Sequence, residues 1–432
     1  MDRPSRRSFL NQAATLAAGA TTALSYTRIL GANDRISLGH VGIGHRGTGL
    51  AWIASKLKTS HNVEMTAVCD LWKVNREKAA AKARESYGRA AREFQYIEDL
   101  LALPDVDAVI ISTADFQHAP LLKLAVEAGK NVYCEKPFAN DLADAKAARD
   151  AALASKAIVQ IGTQHRSEPY QIATKALIDT GALGQVSKYE IVWNYHGPRW
   201  RGRSEVKQIR EEDTDWKRWL LNKPHRPFDP RAYFEFRLYR DFSSGIADQW
   251  MSHGIDLVHY FMNETAPKSV VAHGGVYAWP DGRENPDTFQ ALVEYPKGFM
   301  ASYSTSFGND CDSFTRIMGK KATLVNIGGE GSPRWKIVEE KGTYEDNPYI
   351  KRAEKYVTLP GEDRVPPTYI SDNVLYHMQN WFDCLRSRKQ PNATVQHGFS
   401  HAVAVIMAAR SCREGKKLWW DAGTEQITDR EV

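Results

Sequence analysis

The stretch GHVGIGHRGTG at residues 39–49 constrains this chain more than any other. Gly42, Gly44 and Gly47 stand in GxGxxG spacing, directly after a β-branched run at 36–42 and at the start of a helix-patterned segment. Glycines so placed allow a tight turn and close backbone approach, and a helix N-terminus presents free N–H groups to a pyrophosphate. Such a turn requires a parallel sheet around it. The sequence supplies one: runs at 36–42, 63–69, 106–112, 132–134 and 158–161 alternate with alanine-rich, charge-bearing segments at 72–87, 118–129 and 140–155. Strands alternating with helices in this way predict a doubly wound α/β domain over residues 33–160, a Rossmann sheet. Asp70 closes the second run with a carboxylate placed to accept hydrogen bonds from a ribose diol. That favours NAD. NADP stays possible, because Arg46 or Arg76 could offset the negative charge.

After Gly162 the pattern changes. A helix at 169–179 precedes a long alternating strand at 186–195, and a second helix is expected at 244–262. Strand-like stretches follow near 269–277, 288–295, 299–307, 313–318 and 322–327, joined by turns of Gly, Pro and Asn. Consecutive strands argue for an open, mainly antiparallel sheet with helices on one face. Residues 161–432 thus read as an α+β domain. Ser371 and Asp372 can cap a further helix, with Val374, Met378, Trp381, Phe382 and Leu385 on one stripe, and the C-terminal helices are expected to pack back on the first domain. The polar 340–370 region reads as a surface loop.

A length of 432 residues suits two domains, and the formal charge of +5 gives no electrostatic case for nucleic acid or a membrane surface. The leader's Asp2, Arg3, Arg6 and Arg7 account for +2 of it. Cysteines at 69, 134, 311, 384 and 412 share no CxxC spacing, so neither a zinc site nor a dithiol is expected, and no metal site is assigned. At the N-terminus, SRRSFL at 5–10 precedes an apolar run at 13–24 and a small-residue stretch at 23–25. Charge, apolar run and small residues in that order predict a twin-arginine signal over 1–30, with the twin-arginine export machinery as a partner and a periplasmic or extracytoplasmic destination. The run is too short and too rich in alanine and threonine for stable membrane insertion.

Asn131-Val132-Tyr133-Cys134-Glu135-Lys136-Pro137 puts a Glu-Lys pair at the carboxyl end of a strand, where open α/β sheets bind ligands. Thr113 and His118 follow the fourth strand in the same position. With GIGHRG at 42–47, CEKP at 134–137, VQIGTQHR at 159–166, SSGIADQWMSHGID at 243–256 and FDCLRSRKQP at 382–391, the mature chain resembles the glucose-fructose oxidoreductase, inositol dehydrogenase and rhizopine-catabolism (Gfo/Idh/MocA) family throughout. The resemblance implies a dinucleotide domain joined to a substrate domain whose open sheet often makes homo-oligomers, dimers or tetramers. It implies a cofactor site at Gly42, Gly44, His45, Arg46, Gly47, Asp70, Thr113, His118, Glu135 and Lys136, with Lys136 touching both cofactor and reacting hydroxyl.

In the helix at 244–262, Ile246, Trp250, His253, Leu257 and Tyr260 recur at helical spacing, which faces His253 inward. The family places an acid-base histidine there with an aspartate one turn later, matching His253 and Asp256. It usually has another aspartate four residues earlier, where this chain has Gln249. Asp248 is one residue off, about 100° around a regular helix, and cannot stand in. Gln249 can hold a hydroxyl but cannot ionise. Five of the twelve tryptophans lie between 193 and 250. Aromatic faces with polar neighbours suit a sugar or cyclitol, though core packing explains many of them. The expected substrate contacts are Gln249, Asp256, Arg166, His165, Tyr195 and His196, with Lys136 and His253 as catalytic pair. The leading expectation is NAD(P)-dependent oxidation or reduction at a sugar or cyclitol hydroxyl. A redox-neutral glycosidase working by transient sugar oxidation is the alternative, and a non-enzymatic sensor, which would be expected to lose the Glu-Lys pair, comes last.

Overall fold

The structure, a computed structural model, describes residues 34–326, 334–340, 357, 359 and 373–432. The leader at 1–30, the cap at Ser371 and Asp372, and nearly all of the 340–370 loop lie outside the described residues. A six-stranded sheet runs in the order β3-β2-β1-β4-β5-β6, from β1 (Ile36–Val41), β2 (Val63–Cys69), β3 (Arg92–Phe94), β4 (Ala108–Ile111), β5 (Asn131–Cys134) and β6 (Val159–Ile161). All five pairings are parallel. Strand β2 is buried along its whole length, as a strand covered on both faces must be. Strand β3 has no apolar run and was not expected. Helices α1 (His45–Lys56), α2 (Lys73–Tyr87), α3 (Ile97–Leu101), α4 (His118–Glu127) and α5 (Leu142–Ala154) make the connections. The strand order reverses between β1 and β4, which opens a crevice at their carboxyl ends.

The second sheet has nine strands in the order β15-β14-β13-β7-β11-β10-β9-β16-β17. They are β7 (Val186–Val192), β9 (Ser269–Gly275), β10 (Thr288–Tyr295), β11 (Phe299–Ser306), β13 (Phe314–Gly319), β14 (Ala322–Asn326), β15 (Trp335–Glu339), β16 (Leu418–Asp421) and β17 (Gln426–Thr428). Only β7 and β11 pair in parallel; the rest are antiparallel. The long strand expected at 186–195 breaks after Val192, and β8 (Tyr195–His196) instead pairs with β12 (Gly308–Asn309). Along β10 and β11 buried and exposed residues alternate, so one face is covered and the other is open. Helices α6 (Pro169–Asp179), α7 (Trp216–Leu220), α8 (Pro230–Phe234), α9 (Ser252–Met262), α10 (Asn373–Ser387) and α11 (Val395–Glu414) complete the chain. On the covered face, the Ser411 hydroxyl of α11 accepts from Ala272 N–H of β9.

Helix α10 returns to the first sheet. Met378, Trp381 and Phe382 are buried in one cluster with Leu38, Leu50, Ile53 and Tyr133. The Gln160 side chain of β6 donates to the His377 carbonyl, and Arg386 donates to the carbonyls of Asp34 and His61. Replacing Trp381 by alanine removes a fully buried indole and is expected to destabilise the protein by about 3–5 kcal/mol. Equilibrium urea unfolding checks this; a loss under about 1 kcal/mol would show that α10 contributes no core to the first sheet.

Candidate active site

At the end of β1 the three glycines carry separate demands. Gly42 has φ +80° and its missing side chain would collide with the Thr113 backbone. A Cβ on Gly47 would come 2.3 Å from the Gly42 carbonyl oxygen, so this glycine lets α1 seat against the strand. Gly44 instead faces open space, and α1 starts there without a side-chain cap. Uncapped N–H groups beside an open face fit a pyrophosphate. His45 lies exposed in the first turn, and the Thr113 hydroxyl is buried with no hydrogen-bond partner.

Asp70 accepts from the N–H groups of Ile43 at 2.7 Å and Trp72 at 2.9 Å, and from Asn75 at 3.2 Å. Burial pushes its carboxyl up while these donors pull it back. The carboxylate thus braces the glycine turn and still sits at the end of β2. Both arginines weighed against it have protein partners. Arg46 pairs with Glu135 at 2.7 Å, and Arg76 donates to the carbonyls of Asp70 and Leu71. Arg46 therefore reaches the cofactor crevice as the partner of Glu135, across the switch point. His118 is a correction. Its Nδ1 lies 2.7 Å from the Pro137 carbonyl and its Nε2 3.2 Å from that of Thr113. Buried and neutral, it has a single N–H to donate, and the Pro137 carbonyl is the nearer acceptor, so the ring is tied to the exit of β5 instead of facing a cofactor.

Glu135 and Lys136 leave β5 in opposite senses. Glu135 turns in, to Arg46 and to its neighbour's N–H. Lys136 reaches into the second domain, where Nζ donates to the Gln249 carbonyl at 2.6 Å. That carbonyl is offered by an irregular turn. The helix expected at 244–262 begins as a π-helical segment, Ala247–Met251, before continuing as α9. A π turn shifts side chains off the regular register and commonly marks functional sites.

The shift also decides the fate of the neighbouring polar groups. Gln249, expected to hold a substrate hydroxyl, donates from Nε2 to Asp115 Oδ2 at 2.6 Å. Asp115, on the turn after β4, also accepts from the Ser243 hydroxyl at 2.6 Å. The carboxylate at this corner therefore comes from the first domain. Asp248 turns away to the N–H of Ser244, and burial followed by the proximity of Asp115 pushes its carboxyl up to about 7.

His253 projects from the first turn of α9. Its Nδ1 is buried without a hydrogen-bond partner. Burial holds its pKa well below that of a free imidazole, and the Lys136 charge pushes it further down. Lys136 is itself lowered to about 8, by burial, against the raising effect of Glu135 and Asp115. His165 packs edge-on against the His253 ring, centroids 5.0 Å apart, with its Nδ1 on Glu168.

Arg166 and Asp256 are corrections too. Arg166 Nε donates to both Asp256 oxygens at 2.9 and 2.8 Å, and both side chains are buried. They tie the 3₁₀ turn after β6, Gln164–Ser167, to α9 and are not available to a substrate. Tyr195 and His196, adjacent on β8, point to opposite sides as strand neighbours must. Tyr195 meets Trp250 at 6.0 Å, next to the Trp193 and Trp250 pair stacked at 4.7 Å beside His253. His196 is exposed, bonded to the Gly308 carbonyl and set against Trp279, so it does not join the site. Most of the remaining aromatics between 193 and 250, including Trp216, Trp219, Tyr233 and Phe242, form a separate small core with Trp72 and Phe116. Among the described residues, no group of three or more His, Cys, Asp or Glu side chains is arranged to hold a metal ion.

Fold and site together define a dinucleotide-binding α/β domain that presents a lysine to a second, sheet-based domain, which supplies a neutral histidine. Comparison with known proteins gives the family. Residues 36–163 match the GFO_IDH_MocA profile described as an oxidoreductase family, NAD-binding Rossmann fold, and residues 222–419 match its C-terminal alpha/beta domain. The chain belongs to the GFO_IDH_MocA oxidoreductase family. It is 29% identical over 185 residues to inositol 2-dehydrogenase of Gluconacetobacter diazotrophicus, covering 42% of this chain and 55% of that protein. To inositol 2-dehydrogenase of Salmonella typhimurium it is 30% identical over 205 residues, covering 46% and 58%. The chain thus spans rather more than half the length of the curated relatives it matches. Among solved structures, the WlbA dehydrogenase from Bordetella pertussis in complex with NADH and UDP-GlcNAcA has TM-score 0.65 at 18% identity, over 90% of this chain and 99% of that one. Levoglucosan dehydrogenase in complex with NADH and levoglucosan has TM-score 0.65 at 16% identity, over 89% and 98%. At these identities the likeness shows the fold.

Breaking the Arg166 and Asp256 pair leaves a buried carboxylate without its cation. Arg166→Met is expected to destabilise the protein by about 3–5 kcal/mol, and Asp256→Asn in the same chain to restore part of it. Urea unfolding of the two variants measures both effects; a single variant within about 1 kcal/mol of the parent would show that Asp256 relaxes into water.

Proposed function

We propose that this protein oxidises or reduces a hydroxyl-bearing carbon of a sugar or cyclitol with an NAD that stays bound between turnovers. The observation that carries the reading is the neutral His253, its Nδ1 buried and unpartnered, within the field of Lys136 at the carboxyl end of β5. Lys136 Nζ has three protons and spends one on Gln249, which leaves two for a substrate oxygen. Its charge lowers the cost of a developing alkoxide, and the neutral His253 accepts the hydroxyl proton. Tyr195 and the Trp193 and Trp250 stack supply an apolar wall of the kind that sugar rings pack against. Bound nicotinamide supplies the two-electron partner for the carbon.

The twin-arginine motif at 5–10 supports export of a folded protein, with cofactor inside, to a compartment where free NAD is scarce. A retained cofactor also suits the second reading, glycoside cleavage by transient oxidation, in which the cofactor ends each turnover in the state in which it began. The open face of the second sheet, with Val271, Leu292 and Met300 exposed, is the surface through which a homo-oligomer would assemble.

Purified full-length chain should release a dinucleotide on acid quench. With sugars, cyclitols and aryl glycosides, a net change in nicotinamide absorbance is expected; aglycone release without that change would establish the redox-neutral reaction instead. Lys136→Ala should abolish either, and full activity in that variant would overturn the mechanism. Because Lys136 must be protonated to act, activity should fall as pH rises through about 8, well below the range of an ordinary lysine. His253 stays neutral and imposes no loss on the acid side near pH 6. A basic limb near 10 would remove Lys136 from the reaction.

A further inference from the structure

Arginines in the second domain near the crevice are, for the most part, matched to carboxylates. Arg231 pairs with Glu235 at 3.0 Å, and Arg283 and Arg201 both pair with Asp281, at 2.8 and 3.5 Å. Three nearby arginines break this rule. Arg199 makes no ion pair among the described residues; its guanidinium lies over the rings of Tyr195 at 5.0 Å and Trp250 at 5.7 Å. Arg203 is half-buried and its side chain makes no ion pair among the described residues; its backbone N–H donates to Glu235 and its carbonyl accepts from Val206 N–H. Arg237 is mostly buried, its Nε has no hydrogen-bond partner, and its nearest carboxylate oxygen is Asp115 Oδ1 at 3.8 Å. That carboxylate is already committed through Oδ2 to Ser243 and Gln249.

We propose that Arg237, Arg203 and Arg199 form a subsite for an acidic group on the substrate, and that the substrate is a sugar acid held by its carboxylate while a hydroxyl faces Lys136 and His253. This rests on the sugar-directed reading above and narrows it. Three physical points carry it. Like charges gathered with few counterions cost free energy, and here three guanidinium groups have one loosely placed carboxylate oxygen, Asp115 Oδ1 at 3.8 Å from Arg237, to offset them. Burial lowers the Arg237 pKa, Asp115 and Glu135 pull it back up, and Arg203 and Arg199 push it down, so Arg237 lies within the field of both neighbouring arginines. Arg237 also lies close enough to Lys136 to depress it, and Arg199 covers Trp250, which stacks on the Trp193 that borders His253, so the cluster lies one ring away from the reacting corner. A guanidinium with an orphaned Nε matches the two oxygens of a carboxylate in a planar, two-point contact.

The test measures binding of D-glucuronate, D-galacturonate, glucose 6-sulfate, glucose 6-phosphate and the neutral parents glucose and galactose to the full-length protein, by calorimetry, with and without added NAD. An acidic sugar is expected to bind at least tenfold more tightly than its parent at low salt, with the ratio shrinking as salt rises. The uronates should lead; a sulfate or phosphate ester in first place would keep the acidic subsite and replace the carboxylate. Arg203→Gln and Arg237→Gln should each bring the ratio close to one without changing NAD affinity, which tryptophan fluorescence quenching reads separately. Arg203 is partly exposed, so its variant keeps the test valid if Arg237→Gln melts early. Equal binding of acidic and neutral sugars, or a ratio that survives both substitutions, overturns the subsite. Failure to bind NAD with the acidic preference intact would instead overturn the oxidoreductase reading alone.

Discussion

The hydrogen bond from Lys136 Nζ to the Gln249 carbonyl is the contact on which the arrangement of the site depends. It links the end of a parallel strand to the start of a helix 113 residues later. A regular helix spends its interior carbonyls on N–H groups four residues on, and the π segment at Ala247–Met251 changes that pairing at the point where Lys136 arrives. The lysine is thereby fixed at one proton and left with two, and Gln249 is held from its other end by Asp115. Three residues from two domains share one polar junction, buried enough to lower the lysine and to keep the facing histidine neutral.

What the sequence makes legible follows from how local each constraint is. The roles of Gly42, Gly44 and Gly47 depend on residues within one turn and one strand, so spacing alone exposed them. Lys136 was legible because a strand followed by proline aims the residue between them. Asp115 was not: its partners Ser243 and Gln249 lie 128 and 134 residues away, and nothing in TADFQH points to them. The signal available was weaker, a carboxylate just past a strand at the switch point. Arg166, Asp256 and His118 illustrate the opposite error. Polar residue types are visible in a sequence, but whether their partner is ligand or protein depends on burial, and these three are satisfied by protein.

The displaced carboxylate also changes how Gln249 should be understood. A substitution that looks like a lost acid is a transfer of the negative charge to the first domain, with the amide acting as a spacer between Asp115 and the lysine. Chemistry at this corner is then set jointly by the β4 turn and by helix α9, and a change in either would be felt by Lys136 through Gln249.

The apolar core has a mechanical consequence. One continuous cluster runs from Val109 and Ile111 of the first sheet, through Phe138 and Val403 of α11, to Tyr189 and Val293 of the second. Beside it, Ile161 N–H bonds to the Ala393 carbonyl, so the two chain crossings between the units lie against each other. Domains joined by a polar, hydrated seam move relative to one another by default; domains sharing a core do not. The crevice floor is therefore a rigid joint. A dinucleotide lying along it would meet two walls backed by one core, so hinging of the domains would cost the separation of that core as well as the contacts the ligand makes.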